Sequence, residues 1–158
     1  MGLSTPSRDR IYDEVRNLWV VATPEEVVRQ NLLKKMIYEL SYPRELISVE
    51  KALSEIPFFA SIPAPMRRID VACFAPKIHP KHALYPLLLI ECKEDRREAE
   101  KAWQQVQGYN SFLKACFLAV AYPEGELFGF LEGGELRLLS HLPSYLQLMQ
   151  AIGHGKYS

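Results

Sequence analysis

The chain has no surplus of charge, no long apolar run and no phosphate-binding glycine loop, and each absence removes a class of function. Its 19 lysines and arginines are balanced by 19 aspartates and glutamates, so the formal net charge is zero. A domain that coats nucleic acid by neutralising phosphates carries a basic excess; here such affinity would have to come from a local patch or a partner. No apolar stretch has the length of a membrane span or a signal-peptide core, so a cytoplasmic protein without a membrane partner is expected. Gly153-His154-Gly155-Lys156 has the wrong spacing for Gly-x-x-x-x-Gly-Lys-Ser/Thr, so there is no ATP site and ATP-driven work is expected of another chain. The three cysteines, Cys73, Cys92 and Cys116, lack metal-site spacing and read as reduced core residues. The four histidines are scattered, and His79-Pro80-Lys81-His82 reads as an exposed loop. No repeat or low-complexity tract is present. A chain of 158 residues, 48% hydrophobic, suits one domain over 1–158, with residues 1–9 expected to be flexible.

What is present begins with Asp70, which stands 91 − 70 = 21 residues ahead of Glu91-Cys92-Lys93. Pro86-Leu87-Leu88-Leu89-Ile90 is a short continuous apolar run that suits a central strand covered on both faces, and Glu91 ends it. In the segment from Arg67 to Phe74, Asp70 interrupts an otherwise apolar pattern of Ile69, Val71, Cys73 and Phe74. A buried carboxylate needs a partner. The two-residue period of a strand puts Glu91 and Lys93 on one face and turns Cys92 to the other. Two carboxylates and an amine at neighbouring strand ends can hold a divalent cation over a phosphodiester and activate a water. A surface Glu-Lys pair beside a structural aspartate is the plainer alternative.

From Glu94 to Asn110 the residues Ala99, Ala102, Trp103, Val106 and Asn110, followed by Leu113, recur at helical spacing. Gln105 and Tyr109 lie four apart on one face, either solvated and half-packed or turned to a ligand, and Gly108 inside the helix hints at close approach. The mixed charges from Lys93 to Lys101 read as a solvated helix start. Thr23-Pro24-Glu25-Glu26 has the pattern of a capping box, with Thr23 as N-cap, Pro24 at the first helical position and Glu26 at the third.

Asp70, Glu91-x-Lys93 and Gln105-x-x-x-Tyr109 together resemble the motif series of the PD-(D/E)xK nuclease superfamily, in particular the N-terminal nuclease domain of type I restriction enzyme R subunits. Upstream, Arg16, Trp19, the Thr23 to Glu26 entry, Val28-Arg29-Gln30, Tyr42-Pro43, Leu46-Ile47 and Val49-Glu50-Lys51 are similar to that family's opening helix and first strand, so the likeness spans roughly residues 11 to 121. The resemblance implies Asp70 and Glu91 as metal ligands, Lys93 as the catalytic lysine, and Gln105 with Tyr109 as nucleic-acid contacts. It also offers Glu26 as a further metal contact beside its capping role, and Arg29 as a phosphate contact. Mg2+, with Mn2+ able to substitute, is the implied cofactor.

The expected order is helix 24–40, strands 46–53, 67–75 and 86–92, helix 97–113, strand 116–121, a hairpin over 126–139 turning at Glu132-Gly133-Gly134, and helix 142–151. This is an α/β domain, a mixed central sheet flanked by helices with a restriction-endonuclease-like core. The leading functional expectation is metal-dependent hydrolysis of DNA phosphodiester bonds by a stand-alone nuclease domain. The alternatives are a non-catalytic nucleic-acid-binding module in a larger complex and a structural protein with a vestigial site. DNA is the expected partner, and the last helix packs either on the domain or on a second copy in a homodimer.

Overall fold

A computed structural model describes residues 9–52, 68–113, 116–132 and 135–153. The strands are β1 (Arg10–Asp13), β2 (Leu18–Val21), β3 (Ile47–Ala52), β4 (Arg68–Pro76), β5 (Leu84–Cys92), β6 (Phe117–Tyr122), β7 (Gly125–Glu132) and β8 (Glu135–Leu139). Among the described residues there are also three α-helices, α1 (Pro24–Lys34), α2 (Arg96–Leu113) and α3 (Tyr145–Ala151). Strands β3 to β8 form one six-stranded sheet in sequence order, while β1 and β2 make a separate antiparallel pair. Only β5 and β6 run parallel within the six-stranded sheet, and α2 is the crossover that a parallel pair needs.

Both faces of the sheet are covered, and the apolar residues divide accordingly. Val71, Cys73, Leu88, Ile90, Cys92, Ala119 and Ala121 pack toward Val28, Leu32, Leu33 and Met36 of α1 and its continuation. Ile69, Ala72, Leu89, Leu118 and Val120 pack toward Ala99 and Ala102 of α2. Strand β5 is buried from Pro86 to Cys92, as its continuous apolar run requires. The three cysteines are free and buried. No helix of the described residues is long and apolar enough to cross a membrane.

The mixed α/β architecture agrees with the reading of the sequence, with several local differences. The expected helix 24–40 is α-helical to Lys34 and then widens into a π-helical turn over Lys35–Glu39. The last helix starts at Tyr145 instead of 142, because Ser144 caps it through a complete capping box with Gln147 and Pro143 precedes the cap. Leu142 is buried ahead of that helix, and Tyr145 and Met149 pack on the α1-side core. The Gly133-Gly134 turn lies outside the described residues, although Glu132 and Glu135 pair on either side of it.

The largest difference is at the start, where the expected order had no element ahead of the helix at 24 and the structure forms an antiparallel hairpin around Arg16 and Trp19. Leu18-Trp19-Val20-Val21 is rich in strand-forming residues, and Asn17 takes the left-handed backbone (φ 56) that asparagine tolerates better than most side chains. The buried carboxylate of Asp13 accepts from the N–H groups of Val15 and Arg16 at 2.8 and 2.7 Å, and so closes the turn.

Candidate active site

Asp70 sits where β4 departs from regular alternation. Ile69 packs on the α2 side of the sheet and Val71 on the α1 side, although residues two apart in a regular strand share a face. The neighbouring strand is irregular at the same level. Between the pairs Val49↔Val71 and Lys51↔Ile69, Glu50 adopts φ 54, a left-handed conformation that costs an ordinary side chain about 1–2 kcal/mol. Arg68 Nη1 donates to the Glu50 carbonyl at 2.7 Å and helps to hold it. Strain of this kind persists where surrounding contacts over-determine the backbone.

The Asp70 carboxylate has two partners. Its Oδ2 accepts from the Cys92 N–H at 2.8 Å, which fastens it to the end of β5 between Glu91 and Lys93. Its Oδ1 accepts from Arg29 Nη2 at 3.0 Å. The guanidinium of Arg29, 5% exposed, also binds Glu26 Oε1 at 2.9 Å and Glu50 Oε1 at 3.3 Å. Burial pulls the Arg29 pKa down, but the charges of Asp70, then of Glu26 and other neighbours, outweigh it and hold the group above its usual value. It therefore stays cationic in the folded protein.

A second arginine extends this network to the hairpin. Arg16 binds Asp13 Oδ2 at 2.7 Å and Glu50 Oε2 at 3.2 Å, and approaches Glu26 Oε1 at 3.7 Å. Gln30 donates to both Asp13 Oδ2 and Glu26 Oε2, at 3.0 and 2.9 Å. Burial pushes the Asp13 carboxyl up, yet the hydrogen bonds from Arg16 and Val15 and the charge of Arg16 leave it below its ordinary value. Thr23 does cap α1, accepting from the Glu26 N–H at 3.1 Å, and Pro24 opens the helix. The Glu26 carboxylate turns instead to Arg29 and Gln30.

Glu91, 2% exposed, pairs in register with Val120, whose side chain belongs to the α2-side core. Lys93 follows one residue beyond β5, with its N–H donating to the Ala121 carbonyl at 2.8 Å. It borders an open cavity of about 410 Å3 together with Glu98, Lys101, Ala102 and Gln104 of α2. Asp95 starts α2 by accepting from the Glu98 N–H at 2.8 Å. Arg96–Glu100 and Lys101–Glu98 pairs follow on the exposed face at 3.5 and 3.8 Å, a solvated helix start as the charge pattern implies. Gln105, Gly108 and Tyr109 lie within α2, but their side chains fall outside the described residues.

Cys92 stands at the centre of these groups. Burial raises its thiol pKa well above the usual value, Asp70 and Glu91 raise it further, and Arg29 opposes them. A thiol so shifted stays protonated at neutral pH. Through its N–H, Cys92 ties Asp70 to the end of β5, and Asp70 in turn meets Arg29, which also holds Glu26. Glu50, Arg16, Asp13 and Gln30 were not anticipated as members of this site. Arg16, Val28-Arg29-Gln30 and Val49-Glu50-Lys51 entered the reading of the sequence only as parts of the family resemblance, and Asp13 did not enter it.

The donor chemistry suits a divalent cation, since carboxylate oxygens are the hard ligands that Mg2+ and Mn2+ take. Among the described residues no three histidine, cysteine, aspartate or glutamate side chains are grouped to hold an ion by themselves. Mg2+ is commonly held by one or two carboxylates together with waters and substrate phosphates; of the two expected ligands, Asp70 turns to Arg29 of α1, and Glu91 stands in register with Val120 of the α2-side core.

The family model of the type I restriction enzyme R protein N terminus matches residues 24–128, from the start of α1 to β7. No curated protein matches the chain. Among solved structures, a fragment assigned to the HsdR subunit of a type I restriction enzyme from Vibrio vulnificus YJ016 is similar to it, with a TM-score of 0.54 at 17% identity. That likeness covers 83% of this chain and 25% of the other, so it concerns the fold, and the chain spans about a quarter of that neighbour's length. With the matched segment running through α1, the Asp70 and Glu91 strands and α2, the chain belongs to the family of type I restriction enzyme R protein N-terminal domains.

Proposed function

We propose that the chain hydrolyses DNA phosphodiester bonds with a divalent metal ion, Mg2+ or Mn2+, at the shared end of β4 and β5. The observation that carries this reading is the bond from the Cys92 N–H to Asp70 Oδ2, which brings the Asp70 carboxylate to the strand end that bears Glu91 and Lys93. Asp70 and Glu91 would hold the ion, and a bound ion would supply charge stabilisation for the phosphate and a more acidic water. Lys93, beside an open cavity, holds the attacking water or offsets the charge that grows on the phosphate. Gln105 and Tyr109, on the helix that begins beside Lys93, are the proposed nucleic-acid contacts. Zero net charge makes for weak affinity by this chain alone, so the domain is proposed to act within a larger complex or as a homodimer.

One observation favours a second reading, a nucleic-acid-binding module without turnover: Arg29 already neutralises Asp70 Oδ1. Incubation of the purified chain with supercoiled plasmid and with single-stranded DNA, in Mn2+, Mg2+ or EDTA, separates the two. Nicking in Mn2+ or Mg2+ that EDTA and Lys93→Ala both abolish supports the nuclease. Retention of DNA in a binding assay without nicking supports the module.

A further inference from the structure

We propose that the Arg29 guanidinium takes the place of a second metal ion, so that the site accepts one divalent cation and not two. The inference rests on the metal-dependent reading above and concerns how many ions that reading needs. Nucleases that use two ions hold them about 3.5–4 Å apart on shared carboxylates. In this chain each Asp70 oxygen already accepts one hydrogen bond, Oδ2 from the Cys92 N–H and Oδ1 from Arg29 Nη2 at 3.0 Å, so the position that a second ion would share on the α1 side is taken by the guanidinium while one lone pair on each oxygen is left for a single ion. The other carboxylates that would complete a second ion's shell are directed at the same guanidinium. Glu26 Oε1 lies 2.9 Å from Nη1 and Glu50 Oε1 lies 3.3 Å from Nη2.

Three features argue that this cation position is built in. Arg29 is 95% buried, its side chain being 5% exposed, so it is not a surface arginine that swings onto the nearest acid. Glu50 is held in left-handed backbone at the place where its carboxylate meets both Arg29 and Arg16. The charges also leave room for one ion. Four carboxylates (Asp13, Glu26, Glu50 and Asp70) against two guanidiniums (Arg16 and Arg29) give 4 − 2 = 2 negative charges before Glu91 is counted. Arg29 contacts Glu26, Asp70 and Glu50 at 2.9, 3.0 and 3.3 Å, so an ion among those three carboxylates meets a fixed positive charge, and the place left for one ion is on the side of Asp70 toward Glu91. Arg29 is thus a positioning residue, acting on the reaction through Asp70, and its fork matches carboxylates in a way that a hydrated ion matches only after losing water.

Counting Mn2+ ions by isothermal titration calorimetry on the wild type, Arg29→Met, Arg29→Lys and Arg29→Met/Glu50→Gln tests the idea without any cleavage assay. The expected result is one ion for the wild type and for Arg29→Lys, two for Arg29→Met, and one again for the double variant, which loses a ligand of the new position. Two ions in the wild type would overturn the inference, as would a folded Arg29→Met that still takes one ion at wild-type affinity. If Arg29→Met is unfolded in EDTA, its circular dichroism decides the same point: recovery of the native signal in excess Mn2+ supports the inference, and no recovery overturns it. The two readings fail in different ways. A wild type that binds no ion beside an Arg29→Met that binds one sinks the metal-dependent nuclease and leaves Arg29 as the resident cation.

Discussion

The two sides of the β5 end are built on opposite plans. Toward α1, Asp70, Glu26, Glu50 and Asp13 are tied down and share two arginines and Gln30 in a network of 2.7–3.7 Å contacts. Toward α2, Lys93 borders an open cavity lined by polar ends, and the pairs around it, Arg96–Glu100 and Lys101–Glu98, are exposed and loose. The first side spends its charges on holding a geometry, and the second keeps a cation where a substrate can reach it. A buried ion-pair cluster contributes little net stability but is costly to break at one partner. An exposed pair contributes little either way. Substitutions on the first side should therefore show as changes in stability and ion binding, and substitutions on the second as changes in rate.

The sharpest test of that division is Lys93→Ala. It should lower single-turnover cleavage by about 100- to 1,000-fold, the scale for removing one transition-state donor, while Mn2+ affinity and Tm stay at wild-type values. A parallel loss of DNA binding would make Lys93 a phosphate anchor and erase the distinction between the sides. Asp70→Asn comes next, because Asp70 belongs to both halves of the argument. Calorimetry should show Mn2+ binding lost, and the weakened bond to Arg29 should cost about 2 kcal/mol, seen as a fall in Tm of roughly 5 °C.

A smaller effect is expected at Asp13, on the locked side but away from β5. Its folded pKa is depressed below an unfolded value of about 3.9, so its stabilisation is present at neutral pH and is lost as pH falls through that value toward the folded pKa. Asp13→Asn should lower stability at pH 7 and flatten the acid limb of a urea-unfolding series. An unchanged acid limb would remove Asp13 from the network. The smallest effects belong to α2: Gln105→Ala and Tyr109→Phe should weaken DNA binding or turnover a few-fold with Tm and Mn2+ affinity unchanged. A large fall in Tm with no change in DNA handling would show that both residues are packing.

Much of this protein was legible in the chain. The apolar run ended by Glu91 marked a central strand, and helical spacing placed a helix within two residues of α2, because burial on one or both faces leaves a period in the sequence. Thr23 and Pro24 marked the start of α1, since a cap is a local exchange of hydrogen bonds. The motif order placed Asp70, Glu91 and Lys93 on neighbouring strand ends, and the family match covers those strands.

Tertiary structure alone decided what those residues touch. Arg29 finds Asp70 across 41 residues of chain, and Arg16 finds Glu50 across 34, pairings that no local spacing encodes. The Glu26 carboxylate follows the same rule: its position predicted the reciprocal half of a capping box, and it turned to buried charges that are more costly to leave unpaired than an exposed cap. The left-handed Glu50 and the break in alternation at Asp70 stand side by side on paired strands, both with carboxylates on Arg29, and no local pattern in the sequence marks that meeting. Periodicity and caps are short-range and determined by the chain, whereas the partner of a buried charge is set by whichever opposite charge the completed fold brings within reach.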